Sequence, residues 1–391
     1  MQTEDLLMLS CAMRNIKQDT LKKVQEILSP DLNWAYFLQR TKEEGLASLI
    51  YKAFLKIPDI EKIIPEYILQ DLKIIYYSVV KRNILISRTL EKILQAFQAE
   101  NIESIIFKGI ALAESVYGDI GSRSMVDLDI LVRRQDVKKA DEILGRFNYA
   151  KLFEVKDYSA IFLNLYRNAL LFRNLNTYPQ YIHLYWHILN LFTYDKDILH
   201  KIDMDKIWDD AIEIELGNLK IRTFSIYHQI IYLCLHASNH AYKPLILLCD
   251  LNEFIRLNQE KIDWDILAKE AVKFGLSKYV YYGLYLTRQT LGAAIPENTF
   301  SRLKPKRISI FERKFISSVL EGKSASAREG LVYLAMIETL SDRLYFARRA
   351  LFPSRYEMAL VRQKDASQIN IFDYVRRINS AFNSAAKALF Y

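Results

Sequence analysis

The chain has 391 residues, 51% of them apolar, with only 11 Gly and 8 Pro. That profile excludes a disordered or low-complexity protein, and the length excludes one simple core; at ~100–200 residues per domain, two or three packed units are expected. The net charge of +8 favours anionic partners such as nucleotides, and the three cysteines have neither metal nor disulfide spacing, which fits a reduced, cytoplasmic setting.

The first ten residues, MQTEDLLMLS, carry two acids and no basic run, so no signal peptide is expected. Residues 223–242 lack Asp, Glu, Lys and Arg. They also hold His228, Gln229, His236, Asn239 and His240, which predicts a buried helix and no membrane span.

Residues 1–100 read as helices. The run YILQDLKIIYYSVVKRNILISRTLEKILQAFQ repeats apolar residues at three- and four-residue spacing until Asn101 breaks it. The period then changes. IESIIF (102–107) is a short β-branched run, expected as a buried strand that ends at Lys108–Gly109. A short helix from Ile110 follows, then a loop with Gly118, Gly121 and Ser122. VDLDILV (126–132) reads as a second strand and RQDVKKADEILGRFN as an amphipathic helix. Further strands are expected near 167–174 and 179–188. Residues 196–391 return to helical patterning, with DWDILAKEAVKFG (263–275) the clearest case. Three regions follow: 1–100 helical, 101–195 a small mixed core, 196–391 helical.

The chemistry gathers in the middle region. Asp127 and Asp129 are two apart on a strand, so both project from one face, with Leu128, Ile130 and Val132 turned to the core. Paired carboxylates repel unless a cation lies between them. Mg²⁺ is held by one or two carboxylates plus substrate phosphates, so such a strand suits phosphoryl chemistry. A solvated strand end with chance alternation gives the same pattern. Gly109 would allow close backbone approach, and a helix after it would aim free N–H groups at a phosphate. Lys108 could add a charge there and Arg123 a bidentate fork. Each also reads as an ordinary turn or loop residue.

Together, FKGIALAESVYGDIGSRSMVDLDILV resembles the core of the uncharacterised bacterial nucleotidyltransferase family, within the polymerase-beta-type superfamily. The likeness rests on KG-x-A-L-A, the following Tyr and Arg, and D-x-D-x-L-V. It extends to HASNHAYKPLILLCDL, IDWDILAKEAVKFG and LFPSRYEMALVR. The resemblance implies an α+β fold, with a small nucleotidyltransferase core between the helical regions. It also implies two-metal transfer of a nucleoside monophosphate from an NTP to an acceptor. Asp127 and Asp129 would hold Mg²⁺, with Mn²⁺ the alternative, and Lys108, Gly109 and Arg123 would hold the phosphates. The acceptor is expected to be a small molecule, peptide or protein rather than nucleic acid.

One position departs from the family. Members carry a D/E-L-H-W pattern on a later strand, where this chain has YIHLYWHI. Matching Leu184 and Trp186 puts His183 in place of the acid and Tyr185 in place of a histidine. Histidine is a poor ligand for Mg²⁺, a fair one for Mn²⁺ or Zn²⁺, and a good base near neutral pH. Three readings stay open: His183 is the catalytic base, another acid replaces the missing one, or the chain is a non-catalytic nucleotide- or phosphate-binding module. His187 shares the expected face and is read chiefly as a strand histidine bonded to nearby backbone.

His236 and His240 share a helix face, which is half a zinc site with Asp250 as the third ligand to consider, although packing between helices explains the pair as well. Basic residues thicken from Arg343 to Lys364, with Tyr345, Phe346, Phe352 and Tyr356 among them. Asp342, Glu357 and Asp365 interrupt them, so a solvated face is expected rather than a nucleic-acid surface.

Overall fold

A computed structural model of the chain describes every residue except 1, 16–17, 153–167, 190–195, 218, 306, 322–342, 345–347, 349–350, 354, 363–365 and 391. It is an α+β protein, a mixed sheet set among helices. The N-terminal helices are α1 (Thr3–Cys11), α2 (Gln18–Ile27), α3 (Trp34–Glu43), α4 (Ala47–Phe54) and α5 (Glu66–Ala99). The middle holds β1 (Ser104–Phe107), α6 (Gly109–Ser115), β2 (Asp127–Val132), α7 (Val137–Arg146), β3 (Ala150–Lys151), β4 (Ala169–Arg173) and β5 (Tyr181–Tyr185). Then come α8 (Lys196–Lys201), α9 (Met204–Asp209), β6 (Ile212–Leu216), β7 (Leu219–Thr223), α10 (Ile226–Asn239), α11 (Ile246–Leu257) and α12 (Trp264–Lys273). The last are α13 (Ser277–Leu291), α14 (Glu297–Leu303), α15 (Ile310–Leu320), α16 (Arg355–Arg362) and α17 (Ile371–Phe390).

Helix α5 forms as its period requires. Ile68, Leu72, Val79, Asn83, Ile86, Leu90, Ile93 and Phe97 are buried along one stripe, and the chain leaves the helix at Asn101 with φ +55°. The main sheet has the order β1-β2-β5-β4-β3. β2 pairs antiparallel with β1 and parallel with β5, so it is an inner strand. One sheet face, with Ile106, Leu128, Ile130, Val132, Phe172, Ile182 and Leu184, packs on the second half of α5 and on α7. The other face carries Ile105, Phe107 and Leu131 into a larger core shared with the N-terminal helices and α10–α13. The three apolar residues expected to face a core do so. β2 is also buried on its second face, where Asp129 lies only 3% exposed. A carboxylate at such a depth requires a partner.

Two expectations need correction, and a third lies partly outside the described residues. The helical reading of residues 196–391 missed the β6–β7 hairpin, which pairs Glu213 with Arg222 and Glu215 with Lys220 around Gly217 at φ +59°. Its Leu216 and Ile221 close the core beneath the main sheet. The helix after the Lys108 turn starts at Gly109, not Ile110. The basic C-terminal cluster lies partly outside the described residues, including Tyr345, Phe346, Arg349 and Lys364. The amphipathic helix read at 263–275 is α12, capped by Asp263 accepting from the Asp265 and Ile266 amides and ended at Gly275 with φ +69°.

Candidate functional site

The loop that leads into β2 is fixed before the strand begins. Asn83, buried on α5, donates to the carbonyls of Ile120 (2.6 Å) and Arg123 (2.9 Å). Asp119 accepts from the Tyr76 hydroxyl (3.0 Å), the Ser122 hydroxyl (2.7 Å) and the Gly121 amide (3.1 Å). Gly121 lies so close to α5 that a Cβ there would come within 2.5 Å of Tyr76 and Val80, which is why no larger residue fits. These ties set where β2 starts and hence where its first residue, Asp127, points.

Register then gathers the site on one sheet face. Across the antiparallel pair, Phe107 faces Asp129; across the parallel pair, Asp129 faces His183 and Asp127 faces Tyr181. His183 Nδ1 lies 3.3 Å from Asp129 Oδ1 and 3.8 Å from Asp127 Oδ2. Asp127, Asp129 and His183 each offer a ligand atom within 4.8 Å of the others, and among the described residues they are the only such group of three. The later strand lies beside the aspartate strand, as the D/E-L-H-W alignment requires. The Tyr185 hydroxyl also reaches His183 Nδ1, at 3.4 Å.

Lys108 forms the far wall of this group. Its backbone sits at φ +61°, ψ −150°, a conformation that costs a non-glycine residue about 1–3 kcal/mol and is kept only where the surroundings enforce it. What enforces it is the side chain: Nζ lies 2.7 Å from Asp129 Oδ1, with both residues almost fully buried. The rings of Phe107, Tyr185 and Tyr232 surround the ammonium at 5.6, 5.4 and 5.7 Å. Burial opposes the lysine's charge. Asp129 and then the two tyrosines outweigh burial and hold Lys108 well above the ordinary lysine range. Burial would likewise raise Asp129, but Lys108 and His183 hold its carboxyl below the ordinary value. Burial pushes the Tyr232 phenol up to about 12.

The remaining expected phosphate ligands are also engaged. Arg123 meets Asp250 through Nη2 (2.7 Å) and Nε (3.2 Å), and Nη1 donates to the Ser124 carbonyl at 2.7 Å. Asp250 in turn accepts from the Tyr117 hydroxyl at 2.8 Å. The sequence reading set Lys108 and Arg123 free for a triphosphate. Their depth explains the difference, since a buried cation needs a carboxylate beside it. Gly109 is buried too, and a Cβ there would meet Met125 at 3.3 Å, so the space beside it is filled by the protein's own side chain. Asp250, weighed as a third zinc ligand, is likewise taken up by Arg123 and Tyr117.

His236 and His240 line the same neighbourhood from α10. Their rings meet edge to face at 4.8 Å, and His236 stacks on Tyr232 at 6.1 Å. Burial and then the charge of Lys108 depress both histidines below the ordinary value, while Asp127 and Asp129 partly offset the depression in His240. His187 lies past the end of β5, and its Nδ1 accepts from the Leu189 amide at 3.0 Å, the backbone-bonded state expected of it. Burial lowers it to about 4.

The donor set fits one divalent cation. Asp129 Oδ1, already paired with the Lys108 ammonium, is a buried oxygen beside a second carboxylate and an imidazole nitrogen. Two oxygens and one nitrogen suit Mn²⁺ better than Mg²⁺, which prefers oxygen throughout.

A family model described as an uncharacterised nucleotidyltransferase matches residues 30–292. The chain belongs to that family. The matched span of this nucleotidyltransferase-family protein runs from just before α3 to just past the end of α13 and contains every residue of the site. The likeness read in LFPSRYEMALVR lies beyond it. No curated protein matches the chain. No helix among the described residues is long and apolar enough to cross a membrane.

Proposed function

We propose that the protein transfers a nucleoside monophosphate from an NTP to a small-molecule, peptide or protein acceptor with one bound divalent cation. The observation that carries this reading is the convergence of Asp127, Asp129 and His183 from two neighbouring strands, within 4.8 Å of one another, in a member of a nucleotidyltransferase family. Asp127, Asp129 and His183 would hold Mn²⁺ or Mg²⁺. When bound, the cation supplies charge neutralisation at the phosphates.

In the transfer, an acceptor oxygen bonds to the α-phosphorus and the bond to the bridging oxygen breaks. Pyrophosphate leaves, and the acceptor's proton passes to His183 where that imidazole is not itself a ligand of the cation, since a neutral imidazole bound through Nδ1 carries its proton on Nε2 and accepts no other. Positioning such a base is worth ~10²–10⁴ in rate. Tyr185, against His183 Nδ1, fixes the ring. Lys108 keeps Asp129 ionised, and Arg123 with Asp250 holds the loop that delivers Asp127.

The Lys108–Asp129 ion pair favours a second reading, a nucleotide-binding module with no transfer, because the ammonium already satisfies part of the charge that a cation would meet. Incubation with each α-labelled NTP, Mn²⁺ or Mg²⁺, and a cell lysate separates the two. Label moving to an acceptor, and lost in Asp127→Asn, supports transfer. Saturable NTP binding with no label moved under any condition leaves the binding module.

A further inference from the structure

Resting on the metal-dependent reading above, we infer that Lys108 is a built-in second cation, so that this site takes one divalent metal where a paired-carboxylate site takes two. The geometry is that of a fixed counter-ion. Nζ stands 2.7 Å from Asp129 Oδ1, and Lys108 and Asp129 are 5% and 3% exposed. The rings of Phe107, Tyr185 and Tyr232 lie within 5.7 Å of the ammonium and hold it against the carboxylate.

The backbone points the same way. Lys108 is the residue between β1 and α6, it has no side-chain cap to offer that helix, and it holds a positive φ that glycine would hold without strain. A surface lysine would gain nothing from that conformation. A lysine whose ammonium must reach the inner strand does. On the other side of the site, a family carboxylate is replaced by His183, so a second metal would find one acid fewer beside the fixed positive charge of Lys108. The charges of Asp127, Asp129 and Lys108 sum to one net negative charge from the protein, one unit less than the two aspartates alone would offer a metal.

The consequence is a defined competition. Metal bound by Asp129 is repelled by Lys108, and removing the lysine should tighten it. The test is Mn²⁺ binding followed by isothermal titration and by the electron-spin signal of free Mn²⁺, on the full chain with a non-hydrolysable NTP analogue. The wild type should bind one Mn²⁺ per chain. Lys108→Gln should bind it at least ~10-fold more tightly, and Mn²⁺ should raise the melting temperature of the variant more than that of the wild type. Two ions per wild-type chain would overturn the inference, and so would an unchanged or weaker affinity in Lys108→Gln. Should that variant fail to fold, two ions per wild-type chain would still overturn the inference. No Mn²⁺ bound by either protein would sink the metal-dependent reading itself, an outcome distinct from two equal affinities, which would remove only the role of Lys108.

Discussion

His183 lies directly opposite Asp129 across the parallel β2–β5 pair, its Nδ1 3.3 Å from the carboxylate. This single register relation joins the residue in which the chain departs from its family to the residue that the site is built around. It also separates the two aspartates. Asp127 begins β2 with a side chain 33% exposed, whereas the Asp129 side chain is 3% exposed between Lys108 and His183.

The aspartates should therefore fail differently. Asp129→Asn strands the buried Lys108 charge and should cost about 3–5 kcal/mol of stability together with all transfer. Asp127→Asn relieves a like-charge contact at a partly open position and should change stability by less than ~1 kcal/mol while still abolishing transfer. Urea melts beside a label-transfer assay check both. Equal destabilisation by the two substitutions would show that Lys108 is not paired as its distance implies.

Arg123 and Asp250 form a structural tie between the loop before β2 and α11. Either Arg123→Ala or Asp250→Ala should destabilise by about 3–5 kcal/mol, because each leaves the partner's charge buried. The double variant should cost much less than the sum. A double-mutant cycle reads the coupling, with an expected interaction of at least ~1 kcal/mol. Additive losses would contradict the bidentate geometry. Arg123→Lys should not restore the tie, since a point charge cannot reproduce two parallel donors.

Most of the fold was legible because its periods are clean. The i, i+2 acids in VDLDILV announced a strand with a polar face, and the stripe of α5 announced a long helix ending at Asn101. The β6–β7 hairpin was legible too, in IEIEL and LKIRT around a Gly, but the helical patterning of its neighbours masked a period-two segment of ten residues. The site was legible as a set of candidates and not as a set of partners. Lys108 and Arg123 carry no sign of which carboxylate will meet them. The first partner follows from the register that sets Phe107 opposite Asp129, and the second is 127 residues away in sequence. The cage of Tyr185 and Tyr232 is equally long-range. Tyr185 had one signal, its place in the altered D/E-L-H-W pattern; Tyr232 had none.

His187 gives a pH dependence whose sign is fixed. Burial lowers it to about 4, below the ~6.5 of an unfolded histidine. Above ~6.5 both states are neutral and the residue contributes nothing. Below that value the unfolded chain takes up a proton that the folded chain refuses, so stability falls with pH until about 4 is passed. Asn can present an oxygen to the Leu189 amide in place of Nδ1 without titrating. Between pH 7 and pH 5, the wild type should therefore lose on the order of 1–2 kcal/mol more stability than His187→Asn. Identical losses would mean that His187 titrates as an exposed histidine does.

The last prediction turns on His183. Its Nδ1 is 3.3 Å from Asp129 and 3.8 Å from Asp127, close enough to share a cation with both. Imidazole nitrogen suits Mn²⁺ and disfavours Mg²⁺. The wild type should therefore transfer faster with Mn²⁺ than with Mg²⁺, by about 10-fold or more. His183→Asp supplies an oxygen ligand and a negative charge at the same register position, so it should shift the preference towards Mg²⁺ and raise Mg²⁺-dependent transfer above the wild-type rate. His183→Ala supplies neither ligand nor base, and should lose ~10²–10⁴ in rate with either metal. The three proteins separate two roles. If His183 acts chiefly as a ligand, His183→Asp is at least as active as the wild type with Mg²⁺. If it acts chiefly as the base, His183→Asp binds Mg²⁺ more tightly yet transfers more slowly, because an ionised aspartate beside Asp129 is a weaker proton acceptor near neutral pH than an imidazole. Steady-state rates in both metals, with metal affinities measured by titration on the same samples, decide between them. Equal rates for the wild type and His183→Ala in both metals would remove His183 from the reaction altogether.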